Sequence, residues 1–406
     1  MKKLIVQKYG GSSVATVEKI NIVAAKIIES KKKRNQVVAV VSAMGDTTDD
    51  LIDLAQKINP APEMREMDML LSTGEQVSAA LLAMCIQAKG HAALSLVGHQ
   101  VGILTDTVHT RAKIVSIEAK RIHDELKKNK IVIVAGFQGK NSADDITTLG
   151  RGGSDLSAVA LAVALKADEC QIYTDVEGVF TADPRIVPEA RKLDYIAFDE
   201  MLEMASRGAQ VMQTRAVEVA KKFDLPLYVA STFSKQRGTI IMDEQQIIEK
   251  PVVRGVTLTE KEAKITLRNV PDQPGIAAKI FQKLGKNNIN VDMIVQNVSH
   301  MNTTDISFTI DKADVKKTLK LAKEAALQVK AEDVIADEDV AKIAVVGVGM
   351  RSQSGIAFQC FQALAAKKIN IEMISTSEIS ISCVIRKTEG KKALTTLHKK
   401  FNLHKM

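Results

Sequence analysis

Short, unbroken apolar runs recur through the N-terminal part of this chain, and stretches of helical periodicity separate them. Leu4 to Lys8, Gln36 to Ser42 (QVVAVVS), Ala92 to Val97, Ile131 to Ala135 (IVIVA), Glu169 to Thr174 and Leu225 to Ser231 (LPLYVAS) read as strands. Val17 to Ser30, Glu66 to Lys89, Ile117 to Lys128 and Leu156 to Lys166 read as helices. A strand that is apolar at every position, not at every second one, is buried on both faces. Its alternation with helices predicts an α/β fold, a mainly parallel sheet sandwiched by helices. Ligands of such sheets bind beyond the carboxyl ends of the strands, so the loops after these runs are where chemistry is expected.

The 406 residues leave room for two or three domains. A charged stretch, Asp243 to Lys250 (DEQQIIEK), followed by Pro251, reads as a linker. Beyond it the sequence repeats itself. EAKITL, PGIAAKIFQKL and NINVDMI are followed by VAKIAV, SGIAFQCFQAL and INIEMI. Gly275 and Gly355 are 80 residues apart (355 − 275), as are Asn290 and Asn370 (370 − 290). Lys264 and Lys342 are 78 apart (342 − 264), so a small insertion lies between strand and helix. Each copy reads as strand, Gly-led helix, strand, strand, a small α+β unit of ferredoxin-like type. The expected boundaries are 1–242 for the parallel-sheet domain, 243–262 for the linker, and 263–338 and 339–406 for the two small units.

The net charge of +8, from 56 basic and 48 acidic residues, fits either anionic small substrates or a nucleic-acid backbone. Aromatic residues are only 3% and Trp is absent, which removes the stacking platforms of single-strand binders. The run Lys31-Lys32-Lys33-Arg34 follows a helix and reads as its solvated end. No nucleic-acid partner is expected. Cys85, Cys170, Cys360 and Cys383 form no C-x-x-C pair, and no His shows H-E-x-x-H spacing, so no metal site is expected and the thiols read as reduced. Leu4-Ile5-Val6 is too short for a signal peptide, and the apolar stretches Val37 to Val41 and Leu156 to Leu165 cannot span a bilayer. A cytoplasmic location without a membrane partner is expected.

Three loops carry chemistry. Lys8-Tyr9-Gly10-Gly11-Ser12-Ser13 follows the first strand and precedes a helix. Two glycines let backbone N–H groups approach an anion, the helix adds its positive dipole end, and Lys8 adds a full charge. On its own, a tight structural turn explains this pattern equally well. Thr148-Leu149-Gly150-Arg151-Gly152-Gly153-Ser154-Asp155 leads into the Leu156 helix, where Arg151 can clamp a carboxylate. Asp155 alone reads as an acid at the positive end of a helix. Tyr173 to Arg185 (YTDVEGVFTADPR) is a polar loop after a strand, of the kind whose backbone can serve a base and ribose.

In this order and spacing, KYGGSS, TLGRGGSD and YTDVEGVFTADPR resemble the amino-acid kinase family. VSAMGDTTD (Val41 to Asp49) and LSTGEQVSA (Leu71 to Ala79) resemble its aspartate kinase members, and the C-terminal repeat resembles paired ACT domains. The resemblance implies ATP-dependent phosphorylation of the side-chain carboxylate of L-aspartate, the first step towards lysine, threonine and methionine. A carboxylate with a reference pKa near 4 is already ionised at pH 7, so no general base is needed. Catalysis then consists of alignment and charge neutralisation. Carried over by motif, Lys8 stabilises the transferring phosphoryl group and Asp155 orients Lys8. Lys8, Tyr9, Gly10, Gly11 and Ser12 hold the ATP phosphates. Thr174, Asp175 and the stretch Phe180, Thr181, Ala182, Asp183, Pro184 and Arg185 form the nucleotide segment. Ser42, Thr48, Glu75, Arg151, Gly152, Gly153 and Ser154 hold aspartate, with Glu75 suited to its ammonium and Arg151 to a carboxylate. Mg²⁺ is expected to arrive with ATP. Some family members carry a nucleotide-contacting lysine within the segment that reads GAQVMQT here, where this chain has Gln210.

The same resemblance places an amino-acid effector in the repeats. By match, Asp272, Gly275, Ile276, Ala277, Asn290, Asp292 and Gln296 line one side of its cleft. Gly355, Ile356, Ala357, Asn370, Ile371, Thr376 and Ser377 line the other. Helix-start N–H groups can take the effector carboxylate and Asp292 its ammonium. The second copy has Glu372 in place of Asp292, so the two sites need not fill equally. Lysine, threonine or both are the expected effectors. The expected partner is a second copy paired through the ACT units, or a separate subunit made of ACT domains alone.

Overall fold

A computed structural model describes residues 2–209, 211–246, 251–297 and 302–405. The chain forms two compact units, Met1–Val179 with Lys192–Ala205 and Gln210–Ile248, and Phe180–Arg191 with Ser206–Ala209 and Glu249–Met406.

In chain order the first unit contains β1 (Leu4–Tyr9), α1 (Val17–Lys32), β2 (Gln36–Val41), α2 (Thr47–Ile58), α3 (Met64–Ala88) and β3 (Ala93–Leu96). Next come β4 (Ile103–Thr105), β5 (Ile114–Ile117), α4 (Lys120–Lys127), β6 (Ile131–Ala135), β7 (Gln138–Lys140) and β8 (Ile146–Thr148). α5 (Gly153–Leu165), β9 (Glu169–Thr174), β10 (Tyr195–Ala197), α6 (Phe198–Ser206), α7 (Thr214–Lys222), β11 (Leu227–Ser231) and β12 (Thr239–Met242) follow.

The main sheet has the order β10-β12-β11-β9-β1-β2-β6-β3 and is parallel from β11 to β3. All six apolar runs read from the sequence are strands of this sheet. Their alternate residues serve its two faces. Val37, Ala39, Ile131 and Ile133 pack with Val23, Ile27, Leu82 and Ile86 of α1 and α3. Val38, Val40, Val132 and Val134 are equally buried on the opposite face, where α5 lies. Each such side chain contributes about 1.5–3 kcal/mol through burial. α3 is long and apolar enough to cross a membrane by length and composition, yet its Asp68, Glu75, Leu82 and Ile86 are buried within the unit. The helix expected from Ile117 starts later. Ile117 ends β5, which pairs with β4, and the chain turns through Ala119 at φ 45° before α4. The small sheet β5-β4-β7-β8 was not foreseen, since strands this short show no pattern.

The topology positions the site. From β1 the chain builds outwards through β2 to β6, then crosses back by α5 to β9 and β11 on the other side of β1. Connections after β1 and β9 leave in opposite directions, which opens a crevice at their carboxyl ends. The register aligns those ends, because Tyr9 pairs with both Val41 and Tyr173, Val41 with Ala135, and Ser231 with Thr174. The next amides continue the ladder into the loops. Gly10 N–H reaches Tyr173 O at 3.2 Å, Ser42 reaches Tyr9 O at 3.1 Å, and Thr232 reaches Thr174 O at 2.8 Å.

The second unit contains β13 (Gly255–Thr259), β14 (Glu262–Pro271), α8 (Ile276–Lys286), β15 (Ile294–Gln296), β16 (Thr303–Asp311), α9 (Val315–Val329) and β17 (Asp333–Asp337). β18 (Val340–Val346), α10 (Ile356–Ala366), β19 (Met373–Thr376), β20 (Ser380–Arg386) and α11 (Gly390–Lys400) complete it. The two repeats give antiparallel sheets of order β15-β16-β14-β17 and β19-β20-β18-β13. In the first, the edge beside β14 is filled by β17. In the second, the equivalent edge beside β18 is filled by β13, which precedes both repeats. This corrects the 243–262 linker, since Gly255–Thr259 is a paired strand and Glu262 opens β14. It also makes the second small unit larger than 339–406. The cause is β18, buried at all its positions, whose free edge needs a partner for its backbone groups. Residues 247–250 of the expected linker lie outside the described residues.

Candidate active site

The loop after β1 needs glycine for space. Gly10 has an ordinary extended backbone (φ −71°, ψ 166°). A Cβ on Gly11 would lie 2.7 Å from Ala43 O and 3.0 Å from Gly45 O, so only glycine lets the loop lie against the one after β2. Lys8 Nζ is 2.7 Å from Asp155 Oδ1, and the two side chains are 12% and 9% exposed. The expected Lys8–Asp155 pairing is present. It is a charge contact, not an aligned hydrogen bond; among the described residues Oδ1 has no hydrogen-bond partner, while Oδ2 accepts Gln213 N–H at 3.2 Å. Lys19 Nζ donates to Ser12 O at 3.0 Å, a second cation at the turn.

Glu75 is buried on α3. Its Oε1 accepts Ala43 N–H at 3.1 Å, and its Oε2, also buried, has no hydrogen-bond partner among the described residues. Burial pushes its carboxyl up from 4.5 to about 7, opposed by the bond from Ala43. A buried carboxylate with one open oxygen is a ready acceptor for an ammonium. Gly74 lets α3 come this close, since a Cβ there would meet Ala43 Cβ at 2.8 Å. A glycine inside a helical pattern was the available signal for that contact. Ser42 follows β2 and Thr48 stands in the first turn of α2, both partly exposed.

Gly150 (φ +81°) and Gly152 (φ +73°) take left-handed conformations that turn the chain twice before α5. Gly153 and Ser154 are buried; Arg151 is 89% exposed, its guanidinium 4.0 Å from Asp49. The loop beneath it is braced by residues that the sequence did not single out. Fully buried Asp68 accepts from Thr148 Oγ1 at 2.5 Å and from Thr110 N–H at 3.0 and 3.1 Å, and lies 2.7 Å from His109 Nδ1. Arg215 donates to Leu149 O at 2.8 Å and Ala112 O at 3.0 Å. Gln213 Nε2 donates to Arg151 O at 2.9 Å. An acid within the apolar run Met67-Asp68-Met69-Leu70-Leu71 was the one sequence hint.

Thr174 ends β9, and its hydroxyl donates to Asp175 Oδ1 at 3.0 Å. The expected nucleotide stretch Phe180 to Arg185 instead belongs to the second unit. Ala182 lies in a core with Val253, Val256, Ile343 and Leu397. Thr181 is fully buried, its hydroxyl 3.0 Å from His398 Nε2 and accepting Arg191 N–H at 3.0 Å. The side chains of Thr181 and Ala182 are therefore taken up by core packing. Asp183 and Pro184 are half-buried and Arg185 is exposed. Arg185 forks onto Asp183, with Nη2–Oδ2 at 2.7 Å, and holds its carboxyl below the usual range. Gln210 lies outside the described residues.

In the first repeat a cavity of about 340 Å³ is lined by Asp272, Gly275, Ile276, Ala277 and Gln296, with Val270 and Ile306 behind them. Five of the expected effector residues thus meet, whereas Asn290 and Asp292 are not in its lining. Asp292 pairs with Lys342, which is 1% exposed and also pairs with Glu262. Its carboxylate thus already shares a cation with Glu262 and is not an unpaired ammonium acceptor. The repeat reproduces this arrangement, because Lys264 pairs with Glu372. In the second repeat, Gly355 (φ +86°) precedes Ile356 and Ala357 at the start of α10. Asn370 and Ile371 precede β19, Thr376 ends it, and Ser377 Oγ is 2.9 Å from Ser380 Oγ.

Residues 3–231 match the amino acid kinase family, and residues 268–325 and 343–401 match the ACT domain. The chain is 51% identical over 401 residues to an aspartate kinase of Stutzerimonas stutzeri, covering 98% of this chain and 97% of that protein. It is 48% identical over 405 residues to an aspartokinase of Mycolicibacterium smegmatis, covering 98% and 96%. Among solved structures, Escherichia coli aspartokinase III in complex with aspartate and ADP (R-state) is similar, with a TM-score of 0.85 at 25% identity over 98% of this chain and 99% of that one. The same enzyme with lysine and aspartate (T-state) gives a TM-score of 0.74 at 25% identity, with coverage of 98% and 99%.

Proposed function

The chain belongs to the amino acid kinase family and carries two ACT domains, and on that premise we propose that it transfers the γ-phosphoryl group of MgATP to the side-chain carboxylate of L-aspartate, giving 4-phospho-L-aspartate. One observation carries this reading. Ala43 joins the two halves of the site, its carbonyl packed against Gly11 and its N–H held by Glu75. The phosphate loop and the acceptor for an ammonium thus share one residue. Glu75 Oε2 takes the substrate ammonium, and Arg151, free to swing, takes a carboxylate. Ser42, Thr48 and the Gly152 to Ser154 backbone complete the aspartate pocket. The reacting carboxylate is an ionised nucleophile, so the protein supplies alignment and positive charge. Lys8, oriented by Asp155, offsets charge on the transferring phosphoryl group. The N–H groups of Gly11 and Ser12 cradle the phosphates beside Gly10, whose own N–H is taken by Tyr173 O, and Thr174 and Asp175 serve the nucleotide.

The ACT domains support a reading in which an end-product amino acid, lysine, threonine or both, occupies the Asp272–Gln296 cavity as feedback inhibitor. For that, the effector must bind an inactive arrangement better than the active one. Pairing of two copies through ACT sheets, or with an ACT-only subunit, belongs to the same proposal. The test is ATP- and aspartate-dependent hydroxamate formation by the purified protein, alone and with lysine, threonine and methionine singly and in pairs. Lys8→Ala is expected to lower kcat by about 10²–10³-fold, as for loss of one transition-state donor. Full activity in Lys8→Ala, or no product with the wild type, would overturn the reading.

A further inference from the structure

We propose that Asp68 on α3 is a positioning residue for aspartate binding, seating the loop that carries Arg151 at a fixed place along the helix from Glu75. This rests on the reading of Glu75 and Arg151 as the holders of the substrate ammonium and of a substrate carboxylate.

Asp68, Ser72 and Glu75 follow at steps of four and three residues, so they share one face of α3, and all three are buried. The first two hold the β7–β8 hairpin. Asp68 accepts the Thr148 hydroxyl at the end of β8, and Ser72 O accepts Gln138 Nε2 at 2.8 Å at the start of β7. Gln138 and Thr148 are themselves paired across the hairpin. Glu75 stands two turns beyond Asp68, about 10 Å along the helix axis. Asp68 also holds a second stretch of chain. Thr110 N–H donates to both of its oxygens, and His109 Nδ1 lies 2.7 Å from Oδ2. A carboxylate only accepts, so each of these partners is a donor, and none of these donors belongs to α3. The carboxylate therefore ties its helix to the two stretches that meet at Gly150, where a Cβ would lie 3.2 Å from Thr110 O. The seam continues beside it, since Ala112 N–H reaches Thr148 O at 2.9 Å and Arg215 spans Leu149 O and Ala112 O. Arg151 is exposed while the chain that enters it is fixed, so Asp68 sets the point from which the guanidinium reaches.

A buried acid that served stability alone would leave substrate affinity untouched, which sets the experiment. Thr148→Val keeps the shape and deletes the hydroxyl, Thr148→Ser restores it, and Asp68→Asn keeps the shape and removes the charge. In the full-length protein, Thr148→Val and Asp68→Asn are each expected to raise KM for aspartate about ten-fold, the worth of one hydrogen bond to a charged group. KM for MgATP should stay within about two-fold, and Thr148→Ser should recover. On top of Arg151→Ala, Thr148→Val should change KM for aspartate less than about two-fold, because the brace acts through Arg151. An unchanged KM for aspartate with a lowered Tm, an equal rise in both KM values, or an undiminished rise on top of Arg151→Ala would overturn the proposal. Amide hydrogen exchange across residues 149–152 reads the brace without any activity, and Thr148→Val serves for it if Asp68→Asn does not fold. Faster exchange in Thr148→Val supports the brace, and unchanged exchange refutes it. Failure of the aspartate reading would show separately, as a wild type that makes no hydroxamate or an Arg151→Ala variant with normal KM for aspartate.

Discussion

Glu75 should make aspartate binding depend on pH, and substituting it should weaken binding while stabilising the protein. Its carboxyl stands at about 7 instead of 4.5, with burial as the leading cause. A raised acid pKa means that the unfolded chain loses this proton first. Between pH 4.5 and 7 the unfolded state binds fewer protons, so stability falls as pH rises through that window. Above pH 7 the ionised carboxylate costs roughly 3 kcal/mol, at about 1.4 kcal/mol per pH unit. A substrate ammonium on Oε2 removes that cost and lowers the pKa. At pH 7 about half of the free protein holds the proton, so aspartate binding should release about half a proton. At pH 6 roughly a tenth of Glu75 is ionised, so the apparent Kd for aspartate should be about five-fold higher than at pH 7. Calorimetry without ATP, in two buffers of different ionisation enthalpy, measures both quantities. Glu75→Gln should abolish the pH dependence and weaken binding at pH 8, yet raise Tm at pH 8. A flat Kd between pH 6 and 8, or a lower Tm for Glu75→Gln at pH 8, would refute the reasoning.

Two further outcomes follow from packing and charge. Gly11→Ala places a Cβ 2.7 Å from Ala43 O and must displace the phosphate loop. A shift of this size should lower kcat/KM for MgATP by about 10²-fold in a folded protein, and near-normal hydroxamate kinetics would contradict the close-approach account. Lys342→Met removes the cation between Glu262 and Asp292 and leaves two facing carboxylates, one of them pushed up by burial. Urea unfolding should show a loss of about 3–5 kcal/mol, largely recovered when Glu262→Gln and Asp292→Asn are added. Equal stability of Lys342→Met and wild type would remove this ion cluster from the account of the ACT pair.

What the sequence determined by itself is the local and the periodic. Runs such as Ile131 to Ala135 are buried on both faces wherever they pair, so the parallel sheet and the loops at its carboxyl ends were legible. The repeat was legible because two copies of one pattern must build two like sheets. KYGGSS and TLGRGGSD were legible because glycines at close approaches admit few substitutes. Tertiary structure alone decided what depends on residues distant in the chain. β13 reads as part of a linker until the open edge of β18, some 90 residues on, claims it (346 − 255). Asp292 reads as a free acid until Lys342 arrives from the other repeat. Thr181 and Ala182 read as part of a polar loop until α11 buries their side chains. Glu75 was picked by motif, but its unpartnered oxygen and raised pKa exist only because Gly74 lets α3 close on Ala43. Periodicity records which side of an element is buried, whereas the identity of what buries it is fixed by long-range contacts.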